Sequence, residues 1–115
     1  MLRVLKVGTA VTLVTLPFYS LTDGTPATGL TIAQADIRIN KHNTSTFAQS
    51  GNASGATHQE NGQYSFTLST GDTDTVGALT ITIAKSGVAV WSERWEVIPA
   101  AIYDAYVAGS ADIKV

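Results

Sequence analysis

The stretch Leu79-Thr-Ile-Thr-Ile83 alternates apolar and polar residues without a break. A period of two is the mark of a strand with one buried face. The same alternation recurs at Asp36-Ile-Arg-Ile-Asn40 and Tyr64-Ser-Phe-Thr-Leu68, and Ala10-Val-Thr-Leu-Val-Thr-Leu16, apolar residues interspersed with Thr, reads as a strong strand ending at Pro17. A chain so patterned has to bury one face of each strand against another sheet. Leu2, Val4 and Lys6 alternate with Arg3, Leu5 and Val7 as a further strand.

Turn signals separate these runs. Asp23-Gly24, Asn61-Gly62 and Ser86-Gly87 are turn dipeptides, and Thr25-Pro-Ala-Thr-Gly29 reads as a loop. Residues 42–56 are polar and rich in Gly, Asn and Ser, with a short strand near Thr46–Gln49. Val88 to Val97 runs back antiparallel to Leu79–Ile83. Gly71 to Gly77 reads as one helical turn, with Asp72 as its N-cap and Gly77 as its end. Ile102, Ala105 and Tyr106 fall at helical spacing after Pro99, which gives a helix over 100–108 capped by Gly109. A last strand covers 111–115. About seven short strands in one domain, 1–115, indicate an all-β, antiparallel sandwich with one short C-terminal helix.

Composition removes several classes of function. The chain of 115 residues has no cysteine, so it has neither disulfides nor Cys-ligated metal. Net charge is −2 and only 14% of residues are charged, with no basic stripe for phosphate neutralisation, so nucleic acid is not an expected partner. Arg3 and Lys6 precede an apolar stretch from Ala10 to Leu21. That stretch alternates with Thr and no small-residue cleavage site follows, so it reads as a strand and not as a leader. No apolar run approaches the ~20 residues of a membrane span, and a membrane is not an expected partner. A surface with so little charge suits a protein packed in an assembly.

Chemistry-bearing residues are sparse. His42 and His58 fall in expected loops, without the further ligands a zinc site needs. Ser20, His58 and an Asp form no recognisable catalytic spacing. Asp72, Asp74 and Asp104 are oxygen donors of the kind calcium takes, yet the twelve-residue calcium loop is absent, and capping accounts for Asp72. Glu93 and Glu96 point to opposite faces of one strand, unlike the converging carboxyls of a glycosidase. No cofactor is expected. Trp91 and Trp95, four apart on one strand, share a face. They are either large packing residues or, with Tyr103 and Tyr106, a stacking platform for a sugar ring.

The ordered segments Phe18-Tyr-Ser-Leu-Thr-Asp-Gly-Thr-Pro-Ala-Thr-Gly-Leu30, Gly62-Gln-Tyr-Ser-Phe-Thr-Leu68, Asp72-Thr-Asp-Thr-Val-Gly-Ala-Leu79 and Val97-Ile-Pro-Ala-Ala-Ile-Tyr-Asp-Ala105 resemble a group of small Ig-like structural proteins of tailed bacteriophages. The resemblance covers nearly the whole chain, and its motifs sit at fold-specifying positions. It implies a non-enzymatic virion component assembled in the host cytoplasm. That component would be a capsid decoration or head-fibre protein, or a tail or baseplate adaptor, bound to other virion proteins. The alternative is a receptor- or carbohydrate-binding module of an adhesion device. A homo-oligomer, a trimer or a ring, is expected. Its contacts are placed on the N-terminal strand (Leu2, Val4, Leu5, Val7) and on the helix (Ile102, Tyr103, Tyr106, Val107).

Overall fold

A computed structural model describes residues 3–42 and 44–107 of the chain. Among these residues eight strands and one α-helix follow in order, with a short 3-10 turn at Gln34–Asp36 before the third strand. They are β1 (Val4–Lys6), β2 (Val11–Val14), β3 (Ile37–Lys41), β4 (Ala48–Gln49), β5 (Ala56–Glu60), β6 (Gln63–Leu68), β7 (Gly77–Ile83), β8 (Trp91–Ile98) and α1 (Ala100–Tyr106). One sheet has the order β1-β8-β7-β3-β4 and the other the order β2-β6-β5. The chain is therefore all-β, with two sheets and one short C-terminal helix.

The alternation does what it predicts. Tyr64, Phe66 and Leu68 of β6 are buried, as are Leu79, Ile81 and Ile83 of β7 and Ile37 and Ile39 of β3. Their polar neighbours in sequence are less buried. Together with Leu13, Phe18, Trp91 and Val97 they form one core between the sheets. Phe66 meets Trp91 edge-on, with ring centroids 5.7 Å apart, so the two sheets touch through an aromatic pair. Each fully buried side chain of this kind contributes about 1.5–3 kcal/mol relative to exposure.

Asn61-Gly62 joins β5 to β6 with φ of 50° and 83°, the two positive values a two-residue hairpin of this hand requires. Gly62 has a second constraint: a Cβ there would lie 2.6 Å from the Phe18 carbonyl oxygen. Phe18 in turn donates its N–H to the Gly62 carbonyl at 2.9 Å, which holds the segment after Pro17 onto the hairpin.

Several sequence expectations need correction. The sheets are not purely antiparallel: β1 runs parallel to β8, with Leu5 opposite Val97. A parallel neighbour needs a long crossover, and here nearly the whole domain supplies it. The strand from Ala10 shortens to Val11–Val14. The final strand begins at Trp91 and not at Val88, because Val88 leaves the β7–β8 hairpin to bridge Ser20 and become core. Residues 71–76 form turns and bends, not a helical turn, Gly77 already begins β7, and Asp72 caps no helix there. His58 lies in β5, not in a loop. The helix ends at Tyr106. Leu2, Gly109 and the strand expected at 111–115 lie outside the described residues.

Candidate functional site

The expected contact surface divides when placed on the fold. Leu5 is 5% exposed and belongs to the core, so it is not a contact residue. Its position in β1 points between the sheets. Val7 is half-buried against the same core, and Val4 is half-buried on the opposite face of β1. None of the helix residues is buried: Ile102 and Val107 are exposed, Tyr103 is half-buried, and Tyr106 is 74% exposed. Asp104 of α1 pairs with Lys6 of β1 at 3.0 Å, which ties the helix to the edge of the five-stranded sheet.

The three aspartates considered for calcium are separately engaged. Asp72 is buried and accepts from the Ser50 hydroxyl at 2.7 Å, the Gly51 N–H at 3.0 Å and the Ser69 N–H at 2.9 Å. It is a staple between the loop after β4 and the loop after β6. Asp74 accepts from Lys41 Nζ at 2.8 Å and from the Thr75 hydroxyl at 2.9 Å, and these hold its carboxyl below the usual carboxylate range. Asp72, Asp74, Lys41, Gly51 and Ser69 line a cleft of about 460 Å³ with Thr44, Thr46 and Gln49. Asp104 lies on the helix, in neither loop. Among the described residues no group of three or more His, Asp or Glu side chains is placed to share a cation.

The other catalytic candidates are also apart. His58 Nε2 accepts the Gly62 N–H at 3.1 Å, and its ring meets Tyr64 edge-on at 5.1 Å. The Ser20 hydroxyl oxygen accepts the Thr22 N–H at 3.2 Å, a local turn contact. Glu96 is exposed on the outer face of β8, while Glu93 faces inward.

A second cleft, about 350 Å³, opens between β2 and β8. Arg3, Thr12, Leu13, Val14, Leu16, Trp91, Glu93 and Trp95 line it. Trp91, Glu93 and Trp95 share the inner face of β8. Glu93 is ion-paired with Arg3, whose guanidinium also lies over the Trp95 ring, 5.7 Å from its centroid. The Nε1 donors of Trp91 and Trp95 are both buried and neither has a hydrogen-bond partner. Buried donors of that kind are rare in folded proteins. Trp91 is 8% exposed and packs in the core.

Sequence reasoning singled out the two tryptophans but missed Arg3, Val14 and Leu16 as their neighbours. Val14 and Leu16 are 57% and 61% exposed. The signal was there in Val11-Thr-Leu-Val-Thr-Leu16, where apolar residues occupy both parities. A half-buried strand needs only one.

Among the described residues, no helix is long and apolar enough to cross a membrane. The chain matches no protein-family model, no curated protein and no solved structure.

Proposed function

We propose that the chain is a non-enzymatic, Ig-like structural module of a tailed-phage particle, a capsid decoration or head-fibre protein or a tail or baseplate adaptor, that acts by binding other virion proteins and further copies of itself. The observation that carries this reading is the contrast between its polar and apolar surfaces. The polar clusters of chemical interest are spent on internal bonds: Asp72 on Ser50, Gly51 and Ser69, His58 on Gly62, Asp74 on Lys41. Large apolar side chains are meanwhile left outside, among them Val14, Leu16, Ile102 and Tyr106. A surface of this kind serves contact with other proteins.

Strand order supports the Ig-like part. In an Ig sandwich lettered A to G, strands B, E and D share one sheet and G, F and C the other, with C′ beside C in the variable type. Taking β1 as A and β4 as C′, the sheets β2-β6-β5 and β8-β7-β3-β4 follow B-E-D and G-F-C-C′. The quoted motifs also fall at structural positions. Tyr64 packs inward, Gly62 makes the hairpin, and Asp72 staples two loops.

The carbohydrate-binding alternative gains little here, because Trp91 is core and Arg3 occupies one face of Trp95. The test is electron microscopy of phage particles assembled with an epitope-tagged copy of this chain. Ordered antibody labelling at the head or tail is expected, with the purified chain sedimenting above the monomer mass. Particles free of the tag, together with a strictly monomeric chain, overturn the reading.

A further inference from the structure

We propose that the free edge of β2 and the tryptophan cleft beside it accept one extended strand from a partner chain. The three-stranded sheet faces a five-stranded one, and among the described residues β2 has a neighbour, β6, on one side only. The Thr15 N–H donates to the Tyr64 carbonyl at 2.9 Å, so the amides of Leu13 and Thr15 face β6. By alternation, those of Thr12 and Val14 face away from it. An unpaired edge of this kind is a template for another strand.

The cleft supplies the other half of the argument. An added strand next to β2 would lie across the inner face of β8, over Trp91, Glu93 and Trp95. Those residues are now the floor of an open cleft, with Arg3 at its mouth. The site therefore has the two parts of strand-addition recognition. Main-chain groups on β2 give affinity, and a pocket receives the inward side chains of the incoming strand. The indole N–H groups of Trp91 and Trp95, two of the side chains that line the cleft, are buried without a hydrogen-bond partner. On the outer face, Val14 and Leu16 are exposed beside the same edge and wait for apolar cross-strand neighbours.

The geometry selects the occupant. A second copy offering its own β2 would carry its own β8 and β1 into the space already held by β8 and β1 of the first. The seat takes a single strand with no sheet beneath it. The partner is thus an extended peptide arm whose inward residues are apolar and whose outer residues are β-branched. This inference rests on the strand order and the cleft and not on the particle reading. A strand acceptor absent from phage particles would sink the latter alone.

The chain's two tryptophans both line the cleft, so intrinsic fluorescence reads this site. The probe is an eight-residue peptide in which valines alternate with threonine and lysine. A control peptide of the same length has proline at alternate positions. The expected result is a saturable emission shift with the first peptide and at least ten-fold weaker binding of the second. Amide exchange at Thr12 and Val14 should slow at least ten-fold in the complex, with the β5 edge unchanged. Val14→Pro, which removes an amide facing away from β6, should weaken binding at least ten-fold. If that variant misfolds, amide exchange in the unaltered protein decides. Equal binding of both peptides, no shift at millimolar peptide, or protection at β5 instead of β2 overturns the proposal. So does protection of Thr12 and Val14 that grows with protein concentration alone, which would make the occupant a second copy. A shift caused by an oligosaccharide with these amides unprotected would make the cleft a sugar site and also overturn it.

Discussion

Asp72 accepts the Ser50 hydroxyl at 2.7 Å inside the fold, and that bond joins two loops 22 residues apart in sequence. The same carboxylate also holds the backbone N–H groups of Gly51 and Ser69. Removing it leaves three donors without this acceptor, the Ser50 hydroxyl among them buried. Asp72→Ala is therefore expected to destabilise the chain by about 3 kcal/mol. Asp74→Ala, which breaks an exposed pair with Lys41, should cost under ~1 kcal/mol. Urea denaturation of the two variants checks this, and equal midpoints would show that Asp72 is not a staple.

Tyr64 has a fully buried ring, donates its hydroxyl to the Ala27 carbonyl at 2.8 Å and accepts the Leu30 N–H at 3.0 Å. It pins the loop that follows Pro26 to the core. Tyr64→Phe keeps the ring and loses both bonds, for an expected loss of about 1–2 kcal/mol. Tyr19→Phe, at an exposed site, should be neutral. A thermal scan in which both variants melt together would contradict this.

Gly62 and Gly24 both have positive φ, 83° and 72°, but only Gly62 has backbone within reach of an added Cβ. Gly24→Ala meets open space and should cost about 1–2 kcal/mol from its left-handed conformation alone. Gly62→Ala adds a clash with the Phe18 carbonyl and should cost clearly more. Chemical denaturation of the pair measures the difference, and a smaller loss for Gly62→Ala would rule out the close approach.

Asp36 accepts the Ala33 N–H at 2.9 Å and pairs with Lys85 at 3.0 Å. The Ala33 bond first, and Lys85 after it, hold its carboxyl below the ordinary 3.8. A carboxyl depressed in the folded state stabilises the fold above its unfolded value, and that stabilisation is lost as pH falls through the folded one. Stability should thus fall as pH drops below about 4. Asp36→Asn should flatten that fall. Denaturation midpoints from pH 5 to pH 2 test it, and an unchanged slope in the variant would contradict the assignment.

The strands were legible wherever one face is buried and the other wet, as at Tyr64–Leu68 and Leu79–Ile83, because alternation is then forced by burial. Asn61-Gly62 was legible because its backbone demands those residue types. What local sequence does not carry is pairing between distant segments. Nothing near Val4 says that its neighbour is Glu96 or that the ladder is parallel. Asp72 looked like a helix cap because Asp before a short polar run is what caps look like, but its acceptors serve Ser50, far away in the chain. Val88 read as strand because apolar residues suit either a ladder or a core bridge, and only the position of Ser20 decides. The tryptophan cleft was half legible. The shared face of Trp91 and Trp95 follows from their spacing, while the open edge above them follows from a strand that the smaller sheet lacks.

The parallel ladder between β1 and β8 also decides how the fold meets mechanical load. The start of β1 and the end of β8 lie at opposite ends of that ladder, with Val4 opposite Glu96 and Lys6 opposite Ile98. Tension applied ahead of Val4 and beyond Ile98 pulls the two strands past each other. The load then falls on all the bonds of the ladder together, as in shear, and does not peel them one at a time. Resistance to stretching is governed by the unfolding rate and not by equilibrium stability. Substitutions at the β1–β8 contact, such as at Leu5 or Val97, should weaken the chain under tension far more than equally destabilising changes in β5.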